Sequence, residues 1–248
     1  MIEVSCMSIA PLRREDLYAD ARKKVDPERL KKVDRMKLAD DKVRSLGAGI
    51  LLQYTVKQRI ENWRVAGGAA SGSADPACLL LRAEEVLERL REPFVLTYDY
   101  GPHGKPYLEQ YPELFFSLSH SGEFCVCVMA DCEVGADIQR IPEEEGITGR
   151  EEKIAERFFA PGELEWLRAD CCPREQKQRF YRIWAAKEAY IKLTGQGLAR
   201  ELNNFTALSE QRIVWDAEKD ERPAVIWEPQ VPAGYAAAIC AWHGRDLE

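Results

Sequence analysis

The spacing of apolar positions divides the chain into segments of different period. Ile2–Ala10 predicts a strand. From Asp26 to about Trp63 apolar residues recur every three to four positions, at Leu30, Val33 and Met36 and again at Val43, Leu46 and Ile50. That period predicts helix, with Asp26 as N-cap, Pro27 at the first helical position and a break at Asp40-Asp41. Gly67–Ser73 contains only Gly, Ala and Ser and predicts a mobile surface loop. Leu80–Leu90 predicts a short amphipathic helix.

Shorter, strand-sized runs follow. Phe94–Tyr98 is a candidate strand and Gly101–Pro106 a turn. Phe115–Leu118 and Phe124–Ala130 flank Ser119-His120-Ser121-Gly122, which predicts a hairpin or a tight connection, and Val134–Ile141 predicts another strand. Beyond Pro142 the period turns helical over Glu151–Phe159, Pro161–Arg168 and Arg174–Thr194, the last closed by Gly195. Phe205–Leu208, Arg212–Trp215, Ala224–Trp227 and Tyr235–Trp242 read as strands. Strand, helices, strands thus occur twice, without a repeat at the level of letters. The expected fold is α+β with two similar halves related by a pseudo-twofold, residues 1–132 and 133–248, divided near Asp131–Val134.

Composition narrows the class. At 248 residues, 46% hydrophobic and 31% charged, the chain is not dominated by disorder. No apolar run approaches the ~20 residues of a membrane span. Met1-Ile2-Glu3-Val4 has no basic start or apolar middle segment, so the expectation is a cytoplasmic protein with no membrane partner. The 8 cysteines include no Cys-x-x-Cys and the histidines number 3, which argues against structural zinc and for reduced thiols used as core filler. A net charge of −7 argues against a nucleic-acid partner. Arg22–Arg44 nevertheless carries 10 basic against 5 acidic residues. Such a segment fits a local anion site, for a phosphate or an acidic partner, or a solvated helix face.

Three segments carry candidate chemistry. On a strand over Val134–Ile141, Val134, Ala136 and Ile138 face one way and Asp137 and Gln139 the other. Two oxygen-bearing side chains on one face suit a hard cation or the polar side of a half-exposed strand. In Phe180–Lys192, Glu188 falls on the apolar stripe of Phe180, Ile183, Trp184 and Ile191. A carboxylate there needs a partner, either a divalent ion or Lys192 four residues on. In Arg157-Phe158-Phe159-Ala160-Pro161-Gly162-Glu163, Glu163 enters the first turn of a helix, as a general base or as a complement to the helix dipole.

Gly-x-Asp on a strand, Arg-Phe-Phe with a following Glu, and Trp-x-x-Lys-Glu-x-x-x-Lys occur in that order. Upstream stand Asp26-Pro27-Glu28-Arg29 with Lys32, Arg44-Ser45-x-Gly47, Gly104-Lys105-Pro106 and Ser117-x-Ser119-His120-Ser121-Gly122. Together, over positions from about 26 to 197, these resemble the 4′-phosphopantetheinyl transferases of the large, single-chain class that act on biosynthetic carrier proteins. The resemblance implies a cleft between the two halves. It also implies transfer of the phosphopantetheine arm of coenzyme A to a serine of an apo acyl or peptidyl carrier protein, with release of adenosine 3′,5′-bisphosphate. The metal would be Mg²⁺, or Mn²⁺, on Asp137, Glu188 and Gln139, where Gln139 replaces a frequent Glu. Glu163 matches the base for the serine, and Lys192 a contact to the pyrophosphate. Arg29, Lys32, Arg44 and His120 match holders of the 3′-phosphate and neighbouring groups, with Ser45 and Ser119 adding hydrogen bonds, Lys105 near the adenine, and Lys187 a further contact. The carrier is acidic, so a basic or apolar docking patch is expected, and two halves in one chain suggest a monomer. The other readings are a catalytically inactive coenzyme A-binding protein and a different Mg²⁺-dependent phosphoryl-transfer or hydrolytic enzyme. No P-loop pattern supports the latter as a triphosphatase.

Overall fold

The computed structural model describes residues 1–66, 76–92, 94–197, 200–208, 213–216 and 223–242; the expected Gly/Ser loop lies outside them, as does Arg212. Strand β1 (Ile2–Ser8) is buried from Val4 to Met7 and takes an interior place in a four-stranded sheet of order β2-β1-β6-β5. It runs parallel to β2 (Cys78–Leu81) and antiparallel to β6 (Phe124–Ala130), which pairs in turn with β5 (Phe115–Ser121). Helices α1 (Glu15–Lys24), α2 (Pro27–Arg35) and α3 (Ala39–Ala66) share a core with this sheet, in which Leu46, Ile50, Leu51 and Val56 meet Met7, Cys125 and Cys127. Helix α4 (Ala83–Arg89) closes the same core with Val86 and Leu87. A two-stranded ribbon, β3 (Tyr98–Tyr100) with β4 (Pro106–Leu108), carries the expected turn at its tip.

Several expectations shift in detail. The helical break falls at Met36–Leu38, and Asp40 and Asp41 instead occupy the first turn of α3, where the dipole favours carboxylates. Of Leu80–Leu90 only α4 is helical, because Cys78–Leu81 pairs with β1. Helix α1, which the apolar period did not single out, buries only Ala21 among its residues. Ser119 and His120 are strand, not turn. β5 continues to Ser121 and the hairpin closes over Gly122-Glu123. Gly122 has φ +54°, and a Cβ there would collide with Tyr235 Oη.

The second sheet is antiparallel throughout, in the order β7 (Val134–Arg140), β11 (Tyr235–Trp242), β10 (Ala224–Trp227), β9 (Ile213–Asp216), β8 (Phe205–Thr206). Helix α7 (Pro173–Thr194) lies on β7 and β11, with α5 (Gly149–Phe158) and α6 (Pro161–Arg168) beside it. The contact with β7 is backbone on backbone. A Cβ at Gly135 would collide with Ala189 O and Leu193 N, so only glycine admits the helix at that depth. The architecture is α+β. Among the described residues no helix is long and apolar enough to cross a membrane.

The two sheets meet through a dry layer of Val4, Cys6, Val126 and Val128 against Val134, Ala136, Ile138 and Ile239. Beside it, β5 and β7 are joined by side chains in place of a ladder. Ser117, Ser119 and Ser121 Oγ accept from the N–H of Ala136, Ile138 and Arg140 at 2.9, 3.3 and 2.9 Å. Serine at every second position presents one hydroxyl row, and the amides it meets also recur at every second residue of β7. The free edge of β7 is thereby satisfied without a neighbouring strand.

Candidate functional site

Along this seam opens a cleft of about 520 Å³. Arg29 and Lys32 line it from α2, Gly104 and Lys105 from the β3–β4 turn, Ser119 and His120 from β5, Asp137 from β7, and Glu188 and Lys192 from α7. A second cavity of about 550 Å³, near Glu143–Glu145 and the first half of α7, contains none of the expected residues. There Lys177 pairs with Glu144 and Arg182 with Glu228.

The acidic floor is built from two elements. Asp137 is buried. Its Oδ1 accepts from Ser119 Oγ and Lys192 Nζ, each at 2.7 Å, and its Oδ2 from Gln139 Nε2 at 2.7 Å. Lys192 also donates to Ala136 O at 3.1 Å. Its ion-pair partner is therefore Asp137, on the β7 strand beneath the helix, and the helical Glu188–Lys192 pair is not made. Glu188, half-buried, has no hydrogen-bond or ion-pair partner among the described residues. Burial and the neighbouring Asp137 charge raise its carboxyl above the usual carboxylate range, against the pull of Lys192.

An unpaired carboxylate in a partly dry cleft, next to another carboxylate, is a position for a cation. Asp137, Glu188 and the amide oxygen of Gln139 are all hard oxygen donors, with no thiol or imidazole among them, and so fit Mg²⁺ or Mn²⁺. Among the described residues no group of three His, Cys, Asp or Glu side chains could hold a metal. Further ligands would be substrate oxygens and water.

The opposite wall is basic. Asp26 caps α2, its Oδ1 accepting from Arg29 N at 2.8 Å, while its own N–H goes to Gln53 Oε1 at 3.0 Å and Tyr98 Oη donates to its Oδ2 at 3.1 Å. This ties the start of α2 to α3 and β3. Arg29 and Lys32, three residues apart, then share one face. The stem of Arg29 crosses Gly49, where a Cβ would lie 2.6 Å from Arg29 Cγ. Burial and the Arg29 charge lower the Lys32 ammonium. At the mouth His120 is held below its ordinary value by lost hydration and by the cations Lys192, Arg44 and Lys32. Arg29, Lys32 and His120, three basic groups lining this wall together, define a lobe for a phosphate.

Other expected residues stand differently. Arg44 does not line the cleft, and its guanidinium donates to Asp41 Oδ1 at 2.6 Å. Ser45 is buried on α3, off the cleft, and its Oγ has no hydrogen-bond partner among the described residues. Lys105 lines the cleft with its stem, while its ammonium donates to Leu193 O at 2.9 Å and Val134 O at 3.4 Å. It thus clasps the last turn of α7, where the dipole favours a cation. Burial lowers its pKa.

Glu163 and Lys187 lie away from the cleft. Both side chains are 0% exposed and neither lines the cleft. Glu163 Oε2 accepts from Lys187 Nζ and Ala160 N, each at 2.7 Å, and Oε1 from Ala207 N at 2.7 Å. Lys187 Nζ completes its set with Leu202 O at 2.7 Å and Phe205 O at 2.9 Å. Burial pushes the Glu163 carboxyl up and the Lys187 ammonium down, and their contact opposes both shifts. The residue expected as base and the one expected to touch the coenzyme are a sealed pair joining α6, α7 and the chain around 202–207. Ser117 and Ser121 were quoted only as parts of a motif. Their period of two was the available signal for their place in the seam.

Residues 133–240 match the family model of the 4′-phosphopantetheinyl transferase superfamily. The 4′-phosphopantetheinyl transferase psf-1 of Bacillus pumilus is 37% identical over 147 residues, 58% of this chain and 60% of that protein. The 4′-phosphopantetheinyl transferase Sfp of Bacillus subtilis (strain 168) is 32% identical over 143 residues, 57% and 61%. The 4′-phosphopantetheinyl transferase gsp of Aneurinibacillus migulanus is 34% identical over 141 residues, 56% and 55%. The chain spans less than two thirds of the length of these relatives. The matched segment includes Asp137, Glu188 and Lys192, while Arg29, Lys32 and His120 fall outside it.

Proposed function

We propose that this chain, similar to the 4′-phosphopantetheinyl transferase superfamily over residues 133–240, moves the 4′-phosphopantetheine arm of coenzyme A onto a serine of an apo acyl or peptidyl carrier protein and releases adenosine 3′,5′-bisphosphate. One observation carries the reading. Glu188 faces the cleft unpaired, beside Asp137 and opposite a basic wall, which is the charge arrangement that a cation-bound pyrophosphate would complete.

In this reading residues 1–132 supply the phosphate wall and residues 133–248 the acidic floor, as two halves related by a pseudo-twofold in a cytoplasmic monomer. Arg29, Lys32 and His120 hold the 3′-phosphate, and Ser119 fixes Asp137 by its 2.7 Å bond. Asp137 and Glu188, with the Gln139 amide oxygen, would hold Mg²⁺, which when bound would neutralise charge on the pyrophosphate as its phosphoanhydride bond breaks. Lys192 sits on the same carboxylate and stabilises the charge that develops on the leaving bisphosphate. Glu163 is sealed from the cleft by Lys187, Ala160 and Ala207, so in this reading the serine proton passes to water in the cleft. An inactive coenzyme A-binding protein rests on Gln139 alone, and no other feature of the cleft favours it.

The test is the intact mass of a panel of apo carrier proteins after incubation with the protein, coenzyme A and Mg²⁺. A gain equal to the phosphopantetheine arm, lost with EDTA and with Glu188→Ala, is expected. Coenzyme binding with no gain on any carrier would select the inactive reading.

A further inference from the structure

A second buried ion pair lies beyond the end of α7, and the scheme above leaves it unused. Arg200 Nη2 donates to Asp216 Oδ2, and both side chains are almost fully buried. Tyr190 Oη donates to the same Asp216 oxygen at 2.6 Å. The guanidinium carbon is 5.6 Å from the Tyr190 ring centroid and 5.3 Å from that of Phe205. Arg200 is thus fixed from several directions.

From this anchorage Arg200 reaches toward the cleft. Its Nη1 donates to Gln196 Oε1 at 2.6 Å, and its backbone N–H to Gly197 O at 3.4 Å. Gly195 and Gly197, on either side of Gln196, both line the cleft and have φ of +69° and +62°. Glycine permits that backbone but does not impose it, since it populates both signs of φ. The bond from Arg200 supplies the constraint that the glycines lack.

We infer that Arg200 is a positioning residue for coenzyme binding: anchored by Asp216 and Tyr190, it holds Gln196 and so sets the Gly195–Gly197 wall of the cleft. The inference rests on the coenzyme A reading above. Gly195 follows Glu188 by two helical turns, about 10 Å, and packs against Lys105, where a Cβ would lie 3.3 Å from Lys105 Cδ; with Lys105 near the adenine, the wall meets the nucleotide end of the coenzyme. Its loss should act on affinity more than on turnover.

Gln196→Ala removes the link and leaves the Arg200–Asp216 pair intact. Calorimetric titration of this variant with coenzyme A should give a Kd about 3- to 10-fold above wild type, the scale of one hydrogen bond. Affinity for 4′-phosphopantetheine, which lacks the nucleotide, should stay at the wild-type value, and kcat with saturating coenzyme should fall by less than about twofold. Adding Arg200→Lys should raise Kd no further, because both changes break one relay. In the ligand-free protein, amide exchange at Arg200, whose N–H donates to Gly197 O, should be faster in Gln196→Ala. Unchanged coenzyme affinity and unchanged exchange would overturn the inference. If wild type binds no coenzyme A, the functional reading fails, and the exchange comparison still decides whether Arg200 orders the wall.

Discussion

Lys187 and Glu188 are neighbours on one helix and have opposite fates. Lys187 points into the packing between α7, α6 and the residues around 202–207, where Glu163 and two backbone carbonyls take all of its protons. Glu188 points into the cleft and meets no partner among the described residues. Each region contains a carboxylate and a lysine at hydrogen-bond distance, Glu163 with Lys187 and Asp137 with Lys192, both at 2.7 Å. The difference is closure. The first region has no unmet demand, so it has no use for a ligand. The second carries one carboxylate more than its cations satisfy, and that surplus marks the place where a cation adds stability.

The contrast breaks most severely at the sealed pair. Lys187→Met leaves Glu163 buried without its counter-charge and should cost about 3–5 kcal/mol of unfolding free energy by denaturant titration. Glu163→Gln combined with Lys187→Met should recover most of that loss. A stable Lys187→Met with inactive chemistry would return these residues to the reaction. Glu188→Gln should do the reverse, with unfolding free energy within about 1 kcal/mol of wild type or above it, since a like charge beside Asp137 is removed. Carrier modification by that variant should fall about 10²-fold or more, the several kcal/mol of a lost metal contact.

Smaller effects sharpen the floor and the wall. Gln139→Glu adds a charged donor beside Asp137 and should lower the half-activating Mg²⁺ concentration by roughly tenfold. An unchanged or weaker Mg²⁺ dependence would remove Gln139 from the metal site. His120, held below its ordinary pKa by lost hydration and nearby cations, is the subtlest probe. A bound phosphate restores its proton affinity. Coenzyme binding should therefore take up protons between the depressed and restored values, and affinity should rise as pH falls through that window. Binding heats in buffers of different ionisation enthalpy read this uptake, and His120→Ala should abolish it.

How much was legible beforehand varies by element. Pro161–Arg168 and Tyr235–Trp242 stand where the period placed them, and Gly195 ends α7 in a left-handed conformation as its position after Thr194 implies. The exchange of Leu80–Leu81 from helix to strand was not legible, because β2 exists only through the offered edge of β1. Ser119 and His120 read as turn residues by composition. They are strand because the Ser117-x-Ser119-x-Ser121 row meets the amides of a strand from the other sheet.

By itself, then, the sequence determined the elements with a long or strongly marked period, the α+β class, and the short set of acidic and basic residues whose order carries the resemblance. Tertiary structure alone decided which of those groups are partners. Adjacent helical residues point about 100° apart, so the period separates Lys187 from Glu188 but does not say which of the two faces the core. That depended on α6 and the 202–207 segment arriving with Glu163 on one side, and on β7 arriving with Asp137 on the other. Pairing of charges is a contact between distant segments, and a one-dimensional period holds no record of it.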